Sequence, residues 1–275
     1  MKIDSHLHFW HYEPVKDAWI TDEMQVIKND FMPEQLIPLL AKNGIDAGIA
    51  VQADQSENET HFLLDLANQY DFIKGVVGWI DLRSERIEER LEYFSQFKLL
   101  KGFRHIVQAE PQIDFLLRPD FCRGIAALAR YDYTYDILIY PKHIPYALEF
   151  AKQFPNQRFV LDHLAKPFIK DGLIDDWAQQ IAGFAPMEHV SCKMAGLITE
   201  ANWQNWQQAD FMRYVDKILE IFGPDRMMYG SDWPVCLVAG SYDQVYDVVE
   251  KSIDSLTPAE KNQILGQTCA EYYKI

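Results

Sequence analysis

One feature limits the fold of this chain more than any other. Short apolar or β-branched runs alternate with longer amphipathic stretches, and the alternation never breaks. Strand candidates fall at 3–9, 45–52, 73–81, 99–107, 134–140, 158–164, 189–195 and 226–232. The spacing between them predicts helices. The clearest covers 209–222, where Phe211, Val215, Ile218, Leu219 and Phe222 recur at helical spacing and Gly223-Pro224 ends the ladder. Another starts at Pro119 and buries Phe121, Ile125 and Leu128; a third covers 242–253, and a last one begins near Pro258.

Strands separated by helices require parallel pairing, because each crossover returns the chain to the same end of the sheet. A doubly wound open sheet meets that condition too. However, no GxGxxG follows the first strand and no GxxxxGK[ST] occurs anywhere, so its usual nucleotide sites lack support. Within 275 residues, and without a Ser/Gly-rich linker, the units fit a closed (β/α)8 barrel of the α/β class, a TIM barrel with one domain over 1–275.

Charge narrows the partners. Asp and Glu number 41 against 26 Lys and Arg, a net charge of −15 that repels phosphate backbones and anionic lipid, so neither nucleic acid nor membrane is an expected partner. No apolar run approaches the ~20 residues of a membrane helix, and Met1–His6 lacks the apolar stretch of a signal peptide. Cys122, Cys192, Cys236 and Cys269 lie far apart without a CxxC pair and are read as thiols in a reducing cytosol. The expected protein is soluble and cytoplasmic, and nothing in the sequence sets its oligomeric state.

Barrels of this kind collect catalytic groups at the C-terminal ends of their strands. Here the first strand ends in His6 and His8, the second in Gln52 and Asp54, the third in Trp79 and Asp81, and the fourth in Arg104 and His105. The fifth ends in Tyr140, the sixth in Asp162 and His163; the seventh carries Lys193 and the eighth Asp232. Core strands of a parallel sheet should read as apolar runs, so the repeated polar ending marks an active-site rim. A two-residue period predicts Asp4, His6 and His8 on one face of the first strand, with Ile3 and Leu7 on the other. Two imidazoles about 7 Å apart on that face can share a metal ion or a substrate oxygen.

On the seventh strand Val190, Cys192 and Met194 should face the helices, leaving Ser191 and Lys193 toward the axis. A lysine there either supports a carboxylate or oxyanion or pairs with Asp162 or Asp232. Arg104 suits a carboxylate or vicinal oxygens, or an ion pair with a strand-end aspartate. Trp10, Trp79 and Trp233 lie beside catalytic ends, where they offer flat faces to a sugar ring or fill core. His61, His143 and His189 fall away from those ends and are read as structural or surface residues.

Several segments also carry a family resemblance. Asp4-Ser5-His6-Leu7-His8, Leu161-Asp162-His163-Leu164-Ala165-Lys166-Pro167, Cys192-Lys193-Met194-Ala195-Gly196-Leu197 and Tyr229-Gly230-Ser231-Asp232-Trp233-Pro234 resemble the amidohydrolase-related lactonases of the amidohydrolase superfamily. That group includes sugar-acid lactonases of the L-fuconolactonase and L-rhamnonolactonase types and 2-pyrone-4,6-dicarboxylate lactonases. The stretches 75–82 and 102–111 extend the resemblance over nearly the whole chain, the latter toward the sugar-lactonase branch. It implies that Asp232 accepts a proton from the attacking water, while His6, His8 and His163 bind a metal or polarise the lactone carbonyl. A carboxylate near its reference pKa of about 4 is a weak base, so Asp232 would work best raised by burial or by orienting water already activated.

Two-metal amidohydrolases bridge their ions with a carboxylated lysine or a glutamate at the fourth strand. This strand ends in Arg104-His105, and Lys101 comes too early. The expectation is therefore either no required cofactor or one zinc-like ion at an optional site on His6, His8, His163 and Asp232. A doubly anionic pyrone calls for several arginines, and the strand ends offer Arg104, with Arg83 a little beyond. The expected reaction is hydrolysis of a sugar-derived 1,4- or 1,5-lactone. Arg104, His105, Lys193, Tyr140, Trp79 and Gln52 are the candidate substrate contacts. Alternatives are pyrone hydrolysis, metal-dependent decarboxylation on the same fold, and a barrel that only binds a metabolite.

Overall fold

Every apolar run forms a strand, though a shorter one than the run itself. The computed structural model describes residues 1–275. Its strands are β1 (Ile3–Leu7), β2 (Ala47–Val51), β3 (Ile73–Gly78), β4 (Leu100–His105), β5 (Thr134–Ile137), β6 (Phe159–Leu161), β7 (Val190–Met194) and β8 (Met227–Tyr229). They pair in parallel in chain order from β1 to β8. Closure comes from a bridge between Leu7 and Trp233. There the His8 N–H donates to the Trp233 carbonyl at 2.7 Å, and the Asp232 N–H to the His6 carbonyl at 3.0 Å. The seam that shuts this (β/α)8 barrel is thus built from the segments that carry His6, His8 and Asp232.

Around the sheet run α1 (Pro33–Asn43), α2 (Glu57–Gln69), α3 (Ile87–Phe94), α4 (Pro119–Leu128), α5 (Ile144–Gln153), α6 (Asp175–Ile181), α7 (Gln208–Phe222) and α8 (Tyr242–Ser252). α7 buries Phe211, Val215, Ile218 and Phe222, with Leu219 at the edge of the stripe, and stops at Gly223, whose φ is 65°. Ser241 and Gln244 form a capping box that starts α8. The single helix expected from Pro258 is instead α9 (Pro258–Asn262), a π-turn over Gln263–Gln267, and α10 (Thr268–Tyr273). Gly266 explains the break: a Cβ there would lie 2.2 Å from the Met1 carbonyl oxygen, so only glycine lets the chain's first residues pass this close.

Apolar side chains pack in two layers. The larger lies between strands and helices and holds Leu7, Phe103, Tyr135, Ile137, Cys192 and Met194, each large side chain contributing roughly 1.5–3 kcal/mol by leaving water. The smaller fills the barrel interior with Ile3, Ile49, Val51, Val77, Val160 and Met228, and Cys269 and Tyr273 of α10 plug it. Cys192, Cys236 and Cys269 are buried thiols and Cys122 is half-buried. No helix is long and apolar enough to cross a membrane.

The simple two-residue period on β1 does not hold. Its register against β2 shifts between Asp4 and Leu7, and such a shift resets which side each side chain takes. Ile3 therefore lies inside the barrel, and Asp4 turns to α8. Its carboxylate accepts from the Tyr242 hydroxyl at 2.9 Å and from the N–H groups of Ser231 and His6 at 2.9 and 3.1 Å. Asp4 holds the seam together and does not face the cavity.

Candidate active site

His6 and His8 leave the end of β1, His163 follows β6 and Asp232 follows β8. His6 Nε2 and His8 Nε2 are 3.1 Å apart. Asp232 Oδ1 lies 3.3 Å from His8 Nε2 and 3.8 Å from His6 Nε2. The His163 ring sits with its centroid 4.5 Å from that of His6. His8 Nδ1 lies 2.8 Å from the Val51 carbonyl, which accepts its N–H and leaves the Nε2 lone pair free. His6 Nδ1 faces Asp162 Oδ1 at 3.4 Å, the carboxylate–histidine pairing that commonly orients a metal-binding imidazole.

Two imidazole nitrogens and a carboxylate oxygen thus form a triangle with edges of 3.1 to 3.8 Å. A tetrahedral ion with bonds of about 2.0–2.1 Å needs edges of about 3.3 Å, so the donors fit a zinc-like ion in both chemistry and spacing. His163 stands apart from this triangle: its own close donor group runs through His6 and Asp162.

The amidohydrolase family pattern matches residues 3–275. The chain belongs to the amidohydrolase family. An L-fucono-1,5-lactonase from Burkholderia multivorans is 40% identical over all of this chain and 96% of its own length. A second L-fucono-1,5-lactonase, from Burkholderia ambifaria, is 32% identical at the same coverage. A crystal structure of an amidohydrolase from Burkholderia multivorans with bound zinc superposes with a TM-score of 0.95 at 39% identity, covering 100% of this chain and 99% of that one.

In this amidohydrolase a layer of paired charges lies beneath the histidines. Arg104 Nη1 reaches Asp162 Oδ2 at 3.1 Å and His6 Nε2 at 3.2 Å, and its Nη2 donates to the Gln52 carbonyl. Lys193 Nζ lies 2.5 Å from Asp136 Oδ2 and 3.2 Å from Asp162 Oδ1, and the Tyr273 hydroxyl donates to Asp136 at 2.8 Å. Burial opposes the Lys193 ammonium, but Asp136 and Asp162 more than offset it and hold its pKa above the ordinary value. Burial pushes the Asp136 carboxyl up to about 6. Asp162 is also desolvated, yet Lys193, His6 and Arg104 keep it well below the usual carboxylate range.

Burial drives the three imidazoles toward their neutral forms, His163 to about 4. The same burial would raise Asp232, but His163, His8 and His6 facing it hold it below the ordinary carboxylate range. Asp232 is therefore an ionised acceptor at neutral pH rather than a base strengthened by desolvation.

The backbone here is strained. His163, Leu164, Ala165 and Lys166 all have φ between 52° and 56°, and Asp232 has φ 59°. Left-handed geometry costs L-residues roughly 1–2 kcal/mol each and normally occurs singly. The turn closes through the Lys166 N–H and the His163 carbonyl at 2.7 Å. It sends Leu164 and Ala165 into the core and brings His163 and Lys166, three residues apart, to one cavity.

That cavity has a volume of about 350 Å³, and of the expected residues it exposes His8, Arg104, Tyr140, His163 and Asp232. His6 lies just beneath, fully buried. Four expected substrate contacts do not reach it. His105 follows Arg104, so strand alternation turns it the other way. It stacks on Phe115 at 4.7 Å, receives the Trp79 Nε1–H and bonds Glu110. Trp79 is committed to that contact. Lys193 and Gln52 are sealed in the interior, where Gln52 Nε2 donates to the Arg104 carbonyl. For Lys193 and Arg104 the ion-pair reading holds, with Asp136 and Asp162 as partners.

Of the three rim tryptophans only Trp10 lines the cavity; Trp233 packs against Phe9 and Phe31. Trp19, Lys166 and Gln108 line it without having been expected. Trp19 comes from the long β1–α1 connection and meets Trp10 edge-on at 5.9 Å. Lys166 had a local signal, its place in the LDHLAKP segment, but no local rule says that four non-glycine residues turn left-handed. His61, His143 and His189 stay away from the cavity. A larger groove of about 680 Å³ between Phe168 and Trp203 contains none of the strand-end cluster.

Proposed function

We propose that this amidohydrolase opens a carbohydrate-derived 1,4- or 1,5-lactone to the sugar acid, as a cytoplasmic enzyme acting on a small diffusible substrate. The observation that carries the reading is the Asp232 carboxylate, 3.3 Å from His8 Nε2, sharing with His163 a small cavity whose walls are largely aromatic and aliphatic. Arg104, the one arginine there, is already engaged by Asp162, which suits an uncharged polyhydroxy ring better than a dicarboxylate. The two L-fucono-1,5-lactonases similar over the whole chain support the same class.

In this mechanism the Asp232 carboxylate accepts a hydrogen bond from water and takes its proton as the oxygen attacks the lactone carbon. Arg104 and the imidazoles face the side where negative charge gathers on the carbonyl oxygen. Collapse breaks the bond between that carbon and the ring oxygen, which takes up a proton, and the free acid then ionises. Asp162 and Val51 hold the rings of His6 and His8 in orientation throughout.

A zinc-like ion held by His6, His8 and Asp232 would polarise the carbonyl as a Lewis acid. We take that ion as optional, because Arg104 places a permanent positive charge 3.2 Å from His6 Nε2, where it opposes a divalent ion and supplies part of the same effect.

A pH-indicator assay on aldonolactones and the pyrone dicarboxylate tests the reading. Wild type should turn over aldonolactones, Asp232→Asn should lose about 10³-fold in kcat, and chelated enzyme should keep most of its rate. Turnover confined to the pyrone would overturn the substrate class. Recovery of a lost rate with one equivalent of zinc would overturn the optional metal.

A further inference from the structure

The ring-opening step leaves one proton unassigned, and the cavity contains a group placed to deliver it. We infer that Lys166 is a catalytic residue of this site, donating a proton from its ammonium to the lactone ring oxygen as the carbon–oxygen bond breaks. The inference rests on the lactonase reading above.

The first support is positional. Lys166 reaches the cavity only because four consecutive residues adopt left-handed backbone geometry. Strain of that kind persists where the surrounding structure over-determines it, and it concentrates at functional sites. A turn that merely linked β6 to the next segment would not need it. The core anchors of Leu164 and Ala165 fix the turn, so Lys166 projects from a rigid support.

The second support compares Lys166 with the other charged groups of the cavity. Arg104 shares its guanidinium among Asp162, His6 and the Gln52 carbonyl. His8 commits its Nδ1–H to Val51, and Asp232 only accepts. Lys166 is held more loosely, with Nζ 3.5 Å from Glu200 Oε1 and 5.6 Å from the centre of the Tyr140 ring. An ammonium has three N–H groups, so at least one remains for a ligand. Unlike Arg104, a lysine can also give its proton up and regain it. Glu200 is half-buried, lines the neighbouring groove between Phe168 and Trp203, and meets Nζ from that side.

The step balances. Water supplies a proton to Asp232 and a hydroxyl to the carbonyl carbon. Lys166 supplies a proton to the departing ring oxygen, becomes a neutral amine, and is reprotonated from solvent. Asp232 releases its proton to solvent, which cancels the one Lys166 takes up, and the free acid then ionises, so the net change is lactone plus water to sugar-acid carboxylate plus one proton.

Lys166→Met and Lys166→Arg, measured on a 1,4- and a 1,5-aldonolactone, test this. Lys166→Met should lose about 100-fold in kcat with KM changed by less than about threefold, in line with the usual worth of a general acid. Lys166→Arg keeps the charge and the fold but holds its proton, so it should lose at least about tenfold in kcat. Lys166→Cys alkylated to the aminoethyl thioether should recover most of the rate, against wild type treated the same way. A wild-type kcat in Lys166→Arg, or a raised KM with kcat kept in Lys166→Met, would overturn proton donation. Absence of turnover in wild type itself would instead remove the lactonase reading.

Discussion

Replacing Lys193 with methionine removes one charge from a sealed interior that contains two acids beside it. Asp162 keeps Arg104 at 3.1 Å, but Asp136 is left with only the Tyr273 hydroxyl at 2.8 Å. One uncompensated buried carboxylate costs about 3–5 kcal/mol. For a chain of this length each kcal/mol moves the melting temperature by roughly 2–4 °C, so thermal unfolding near neutral pH should fall by about 10 °C. The deficit must depend on pH. Asp136 already has a folded pKa raised from 3.8 to about 6, and a raised carboxyl contributes stability that is full below its unfolded value and lost as pH rises through the folded one. Without Lys193 its pKa rises further, so the gap between variant and wild type should be small at about pH 5 and full at about pH 8. Adding Asp136→Asn should recover part of the loss. Melting by circular dichroism across that range is sufficient. A Lys193→Met protein that melts within about 2 °C of wild type, or is equally weakened at both pH values, would refute this account of the charged layer.

Two further outcomes follow from single residues. Burial pushes Glu59 from 4.5 to about 7 although its Oε1 accepts the Ala53 N–H at 3.1 Å, so its contribution is full below the unfolded pKa and lost as pH climbs through 7. Glu59→Gln should therefore match wild type at about pH 4.5 and exceed it by up to about 3 kcal/mol at about pH 8; urea unfolding at the two pH values checks this, and equal gains at both would count against it. Gly196 has φ 68°, and a Cβ there would sit 2.8 Å from His163 Nδ1. Gly196→Ala should displace that ring and cut kcat by about tenfold or more, for a stability cost of only about 1–2 kcal/mol from the left-handed backbone; steady-state kinetics beside a thermal melt separate the two effects.

Much of the fold was legible because its signals are local. Apolar runs such as that at β2 mark strands wherever they occur, and the stripe on α7 needs only helical periodicity to be read. The chemistry at strand ends was legible for a related reason. Histidines, an arginine and an aspartate are costly to bury at the ends of otherwise apolar strands, so their presence pointed to a site even though His105 proved to be packed in the interior. Where reading failed, the deciding event was a contact made only on folding, which no periodicity along the chain announces. A register shift on β1 sent Asp4 to Tyr242. Phe115 and Glu110 claimed His105, and Asp136, which had attracted no notice, proved to be the main partner of Lys193.

The residue order by itself determined the alternation of strands and helices, the family, and the set of groups able to do the chemistry, since each depends on neighbours along the chain. Tertiary structure decided which of those groups face the cavity and which are sealed beneath it. Closure of β1 onto β8 brought Asp232 to His8, and the left-handed turn after β6 added Lys166. A side chain's exposure and charge state follow from what is folded against it, and many of those partners lie tens to hundreds of residues away, as Asp232 does from His8 and Asp136 from Lys193.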